Sequence, residues 1–173
     1  MPTQPPIPEL EFLKLSGNHQ ELANKLTKMG IPAPDLGEYA KHICQCWFRL
    51  AEEHLGEAKR ALVGNCTRAV FSRAYYAAYN ASKAARYIVQ GRVSSKGDDH
   101  ANASADLPKD LPNVAQWSQQ ITQLYEHRLR ADYDNWSDTA ANNFLTPADT
   151  VQAADAFVDE VRTYINAKFG MQL

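Results

Sequence analysis

Apolar positions along this chain recur every three to four residues, the period of an α-helix with one buried side. The longest such run passes through Ile43, Trp47, Leu50, Leu55 and Ala58 to Val63 and stops near Gly64. Asp35 followed by Glu38 has the form of a capping box and predicts where that helix opens. A second run begins at Asn65 or Thr67, continues to about Gln90 and ends at Gly91. A third starts near Asn113, uses Val114, Trp117, Ile121, Leu124 and Leu129, and fades between Ala131 and Tyr133. Thr146, Pro147 and Asp149 supply an N-cap, a first-turn proline and a capping acid for the last helix. Its buried stripe is Val151, Ala154, Phe157, Val158, Val161 and Ile165, and Gly170 closes it. A short helix is expected from Asn18 to Met29, stopped by Gly30 and the turn-prone stretch Ile31 to Pro34.

Strand-like alternation is nearly absent and alanine, with 25 copies, is the dominant residue. The pattern predicts an all-α protein: a four- to five-helix up-and-down bundle over residues 35–170, preceded by an arm and short helix over residues 1–34. The first 17 residues hold four prolines and read as extended. Residues 91–112 are polar and broken and are expected to form a long loop with room for one turn of helix. Loops of that size inside a compact domain often carry function. Residues 134–144 read as polar and turn-like, and no internal repeat is visible.

Charge narrows the classes of function. Across 173 residues, 18 Lys and Arg stand against 20 Asp and Glu, a formal net charge of -2. That balance argues against coating nucleic acid by bulk charge and leaves a local basic patch as the only route to it. No run approaches the roughly 18 to 20 apolar residues that a membrane helix needs. The amino-terminal residues lack the basic start and apolar centre of a signal peptide. The expectation is a cytoplasmic protein with no membrane contact. Cys44 and Cys46 sit two apart and Cys66 opens another segment, without CxxC or zinc spacing. They read as structural thiols, with no metal and no cofactor expected.

The second long helix has the most unusual text, AVFSRAYYAAYNASKAARYI. Ala74, Ala77, Ala78, Ala81, Ala84 and Ala85 let a neighbouring backbone approach closely. Tyr75, Tyr76 and Tyr79 either pack at the core edge with bonded hydroxyls or form a stacking platform for bases. Arg73, in so apolar a stretch, needs a carboxylate or a phosphate as partner.

The text from Ser72 to Gly91, preceded by RLAEEHLGEAKRALVGN, resembles the central signature of the HEPN family. From Arg128 onward the chain resembles a second signature of one branch, Arg-x-x-Ala-Asp-Tyr, ending at Tyr133. SSKGDD, from Ser94 to Asp99, partly matches a turn common between the two, and the last helix is similar to the family's closing helix. The resemblance covers about residues 45–168. It implies a helical bundle, commonly a homodimer, often beside a nucleotidyltransferase, an antitoxin or another protein partner. Active members are metal-independent ribonucleases of toxin–antitoxin and antiviral systems. Their motif is an Arg with a His four to six residues later. Such chemistry uses the RNA 2′-hydroxyl as nucleophile, His as a base of near-neutral pKa and Arg as a fixed cation for the phosphorane.

This chain departs from that motif. Four to six residues after Arg128 stand Asp132, Tyr133 and Asp134, and after Arg130 stand Asp134, Asn135 and Trp136; none is His. A tyrosine with ordinary pKa near 10 is a poor base, and the Asp132 carboxylate would repel a phosphodiester. His127 precedes the Arg and points elsewhere on a helix. Arg49 and His54 have the nominal spacing but fall in the first long helix, where chance accounts for them.

Three readings follow. The first is a HEPN protein without the standard nuclease centre that binds RNA, nucleotide or a partner protein through a dimer cleft. Arg73, Arg130, Tyr76 and Lys96 are its candidate nucleic-acid contacts, beside Arg128. The second is a metal-independent endoribonuclease using Arg128 with Asp132 or Tyr133. The third is an adaptor bundle in which Arg128 and Asp132, four apart, are an ordinary ion pair. The third helix and the Arg128 to Tyr133 segment are expected at a two-fold dimer axis. Trp136 can stack a base, Trp117 is expected to be buried, and Lys96 and His100 are either a clamp or solvated loop charges.

Overall fold

The computed structural model of the chain describes residues 19–31, 36–91, 93, 99–133 and 145–173. Six helices and no strands occur among them: α1 His19–Lys28, α2 Leu36–Val63, α3 Thr67–Gln90, α4 His100–Ala105, α5 Val114–Tyr133 and α6 Pro147–Phe169. The all-α bundle expected from the apolar periodicity is the observed architecture. Asp35, Lys96 and Trp136, to which the sequence reading gave roles, lie outside the described residues.

Helix α3 is the central element, packed against α2, α4, α5 and α6. Its alanines explain why. Ala74, Ala77, Ala78, Ala81, Ala84 and Ala85 are fully buried, so neighbouring helices approach its backbone rather than a layer of large side chains. The most extensive contact is with α2, which contributes Cys44, Phe48, Ala51, Leu55 and Ala58 to the same core. The turn between them is tight. Asn65 takes a left-handed φ of 55°, a conformation Asn tolerates, and Cys66 N–H donates to the Ala61 carbonyl at 2.8 Å. Helix α6, which also touches α2, packs Phe157, Val158, Val161 and Ile165 inward, and Trp117 of α5 meets Phe157 with ring centroids 5.4 Å apart.

Capping follows the sequence closely at two ends. Asp149 N–H donates to the Thr146 hydroxyl at 3.1 Å, with Pro147 in the first turn. Gly91 ends α3 at φ 75°, where its N–H reaches the Tyr87 carbonyl at 2.9 Å; a side chain there would be strained. Helix α1 and the following Ile31 form a smaller core with Ala40, Ile43, Tyr87 and Val93, so this short helix is tied to the bundle.

The long polar segment, expected to have room for one turn of helix, holds α4, which is pinned to α3. Asp99, at the start of α4, forms a doubly hydrogen-bonded ion pair with Arg86 of α3; the two side chains are 1% and 2% exposed. Asn102 donates to the same carboxylate at 3.0 Å, and Ser82 donates to the Ala103 carbonyl at 2.7 Å while accepting from Arg86 Nε at 3.1 Å. Burial alone would raise the Asp99 pKa, but the bonds and charge of Arg86 hold the carboxyl below its ordinary value. Six residues form few helical bonds of their own, so this network, rather than helix propensity, holds α4 in place.

Candidate functional site

Arg128 stands one turn before the end of α5, with its side chain 11% exposed. Its Nε lies 2.7 Å from Asp132 Oδ2, four residues on and therefore on the same helix face. Its Nη2 donates to the Tyr76 hydroxyl of α3 at 3.1 Å. The guanidinium carbon is 5.5 Å from the Tyr76 ring centroid and 5.4 Å from that of Tyr133, within cation–π range of both. Burial works against its charge, yet Tyr76, Asp132 and Tyr133 together raise its pKa above the ordinary arginine value. It is a permanent cation held between two tyrosines, and Tyr133 is 72% exposed.

On one side of this group Tyr76 meets His54 of α2, with ring centroids 5.6 Å apart. Glu57 Oε2, one turn along α2, is 3.4 Å from His54 Nδ1 and 3.2 Å from Arg73 Nε. Arg73 therefore has a carboxylate partner, and at 45% exposure it sits on the solvent side of α3 rather than in its apolar text. Asp132 is engaged by Arg128 instead.

On the other side the cluster deepens. Tyr75 is fully buried and lies within 5.2–5.9 Å of the rings of Tyr76, Tyr79, Tyr125 and His100. The Tyr75 hydroxyl and His100 Nδ1 are 2.6 Å apart, and the imidazole is stacked on Tyr125 at an interplanar angle of 17°. Burial keeps the Tyr75 phenol protonated far above neutral pH. Burial, then Arg128, then Lys83 lower the His100 pKa. Lys83 itself is buried over the rings of Trp47 and Tyr79, at 4.4 and 4.8 Å. Tyr75, Tyr79 and Lys83 follow one another at four-residue intervals, which is why they form one stripe on α3.

Of the residues proposed from sequence, the structure brings Arg128, Asp132, Tyr133 and Tyr76 together and sets Arg73 beside them through His54. Arg130 is exposed, and its charge acts on His127. Two positions after Arg128, it is about 200° around the helix. His127 is buried edge-on against Phe71, so it is not part of the group. Arg49 is exposed beside Glu52, Gln172 and Leu173 on another side of α2 and does not join His54.

Four members are not assigned to this group from the sequence. His54, at the nominal spacing from Arg49, is put down to chance because it falls in the first long helix, and His100, expected as a loop clamp or a solvated charge, is packed in the aromatic cluster. Tyr125 carried one usable signal, its position three residues before Arg128 on the same helix. Lys83 carried another, as a lysine four residues after Tyr79 and so on the same side of the helix.

No helix among the described residues is long and apolar enough to cross a membrane. No group of three or more His, Cys, Asp and Glu among them is placed to hold a metal ion. A family model described as HEPN domain matches residues 44–167, spanning α2 from Cys44 through most of α6. No curated protein and no solved structure matches the chain.

Proposed function

The chain belongs to the HEPN family, and from that membership we propose that it binds RNA at the Arg128 face, as part of a toxin–antitoxin or antiviral system. The observation that carries this reading is Arg128 itself, fixed by Asp132 and Tyr76 between the rings of Tyr76 and Tyr133. A preset guanidinium offers donors to a phosphate, and the exposed Tyr133 ring offers a stacking surface to the adjoining base. Because the whole chain is slightly acidic, any attraction to RNA has to be local. A homodimer with this end of α5 at its two-fold axis doubles that local charge.

A metal-independent ribonuclease is the second reading. It is favoured by His54 and His100, each packed on a tyrosine neighbouring Arg128 although neither has the family's spacing from it. Asp132, ion-paired to Arg128, is a poor choice of base in that reading.

The test is binding of a labelled single-stranded oligoribonucleotide across a salt series, with Arg128→Ala beside the wild type. Wild-type affinity is expected to fall with salt, by a slope that Arg128→Ala reduces by about one. EDTA-containing lanes of the same samples report cleavage. If Arg128→Ala only lowers the melting temperature and no RNA is bound, Arg128 is a structural ion pair and the adaptor reading takes over.

A further inference from the structure

His100 has an unusual setting for a titratable side chain. From α3 it is faced by the hydroxyl of Tyr75, the rings of Tyr76 and Tyr79 and the charge of Lys83. From α5 it is faced by the stacked Tyr125 ring and the charge of Arg128. The neighbouring Asp99 carboxylate opposes them, and it is already committed to Arg86. Burial, then the charges of Arg128 and Lys83, disfavour a charge on the ring. An anion that arrives at Arg128 changes this balance, because its negative charge offsets the repulsion that kept the ring uncharged.

We propose that His100 contacts the same phosphodiester as Arg128 and takes up one proton from solvent as the anion binds. The proposal rests on the RNA-binding reading above. In the bound state the imidazolium carries a hydrogen on both nitrogens. Nδ1–H donates to the Tyr75 hydroxyl oxygen, and Nε2–H donates to a phosphate oxygen. Tyr75 can take the accepting role because a phenol both donates and accepts. Arg86 is then a positioning residue: its ion pair with Asp99 fixes the first turn of α4, where His100 follows directly.

Linkage sets the sign. If the anion favours the protonated ring, protonation favours the anion by the same factor. Affinity therefore rises as pH falls from the raised pKa of the bound state towards the lower pKa of free His100 and levels off below it, by about tenfold in all for each unit by which binding raises the pKa.

The experiment measures anisotropy of a labelled oligouridylate of about 12 nucleotides with the full chain, at fixed ionic strength, from about pH 8 to about pH 5.5. Wild type is compared with His100→Gln. Calorimetry in two buffers of different ionisation heat counts the protons taken up. Wild type is expected to gain about tenfold more affinity over this range than His100→Gln, with net proton uptake that the variant lacks. Equal pH slopes with equal proton uptake in the two proteins overturn the proposal and leave the RNA-binding reading standing. Absence of binding at every pH overturns the RNA-binding reading and this proposal with it. If His100→Gln fails to fold, the His100 ring protons of the wild type are titrated by NMR with and without oligouridylate. An unchanged midpoint then overturns the proposal.

Discussion

Arg86 and Asp99, thirteen residues apart, form a buried ion pair that joins the body of α3 to the first residue before α4. Removing one partner leaves the other charge buried without compensation, at a cost of about 3–5 kcal/mol. Asp99→Ala and Arg86→Ala are each expected to lose that much in urea unfolding. The double replacement Arg86→Met with Asp99→Leu is expected to regain most of it, since an apolar pair of similar volume restores packing without a charge. A double variant as unstable as the worse single one would show that the pair's worth lies in geometry no apolar pair can copy.

Acid stability has components with different windows, and His100, whose pKa is also lowered by burial and its cationic neighbours, acts on the same side as His127. The His127 pKa is pushed down by burial, then by Arg130, from 6.5 to about 4. The folded state thus disfavours the charged ring, so its stabilisation is complete above pH 6.5 and is lost as pH falls from 6.5 towards 4. The loss is on the order of 2 kcal/mol, and His127→Leu is expected to reduce the drop over that limb of the stability curve, leaving the part due to His100. Asp99, whose folded pKa lies below 3.8, contributes stability that is present above 3.8 and disappears only as pH falls through its lower folded value. A melting curve of His127→Leu that still drops between pH 6.5 and 4 as the wild type does would assign that limb elsewhere.

Asp132 competes with any phosphate for the Arg128 guanidinium. Asp132→Asn removes the negative charge and keeps the shape, so oligoribonucleotide binding is expected to tighten about two- to fivefold at low salt. Weaker binding by this variant would mean that Asp132 acts chiefly to aim Arg128, and the competition argument would be wrong.

Thiol chemistry reads the packing of α2 on α3. Cys44 is fully buried, its thiol donates to the Ala84 carbonyl at 3.5 Å, and burial pushes its pKa up to about 12. Cys66 is exposed at the turn between the helices. Iodoacetamide applied to the native protein is expected to label Cys66 first and Cys44 only through unfolding, because the thiolate is the reactive form. Peptide mass spectrometry showing early label on Cys44 would contradict the close contact of these two helices.

The bundle was legible because its signals are local. The last helix starts at the cap that Thr146 and Asp149 announce, and α3 ends at the glycine that can take a left-handed φ. The Ala-rich face of α3 reads directly as a close-packing surface, and it is buried. The candidate site was legible only in part. Arg128 with Asp132 follows from four-residue spacing, and Tyr133 follows from the motif, but no spacing ties His54 or His100 to Arg128. The sequence left room for a turn of helix in the loop over residues 91–112 but did not place it, because the six residues of α4 depend on Arg86 and Ser82, which reach it from another helix.

Local sequence encodes the helices, most of their ends and the apolar faces that must meet, since each depends on residues within a turn or two of one another. Which polar groups share a surface depends instead on how the helices pack. Tyr76 and Arg128 are 52 positions apart, and Tyr75 and His100 are 25 apart. Whether such pairs meet depends on how far each helix is rotated and shifted against its neighbours. That rotation is set by the packing of the whole core, through small alanines on α3 and large side chains on α2, α5 and α6, and no local pattern encodes it.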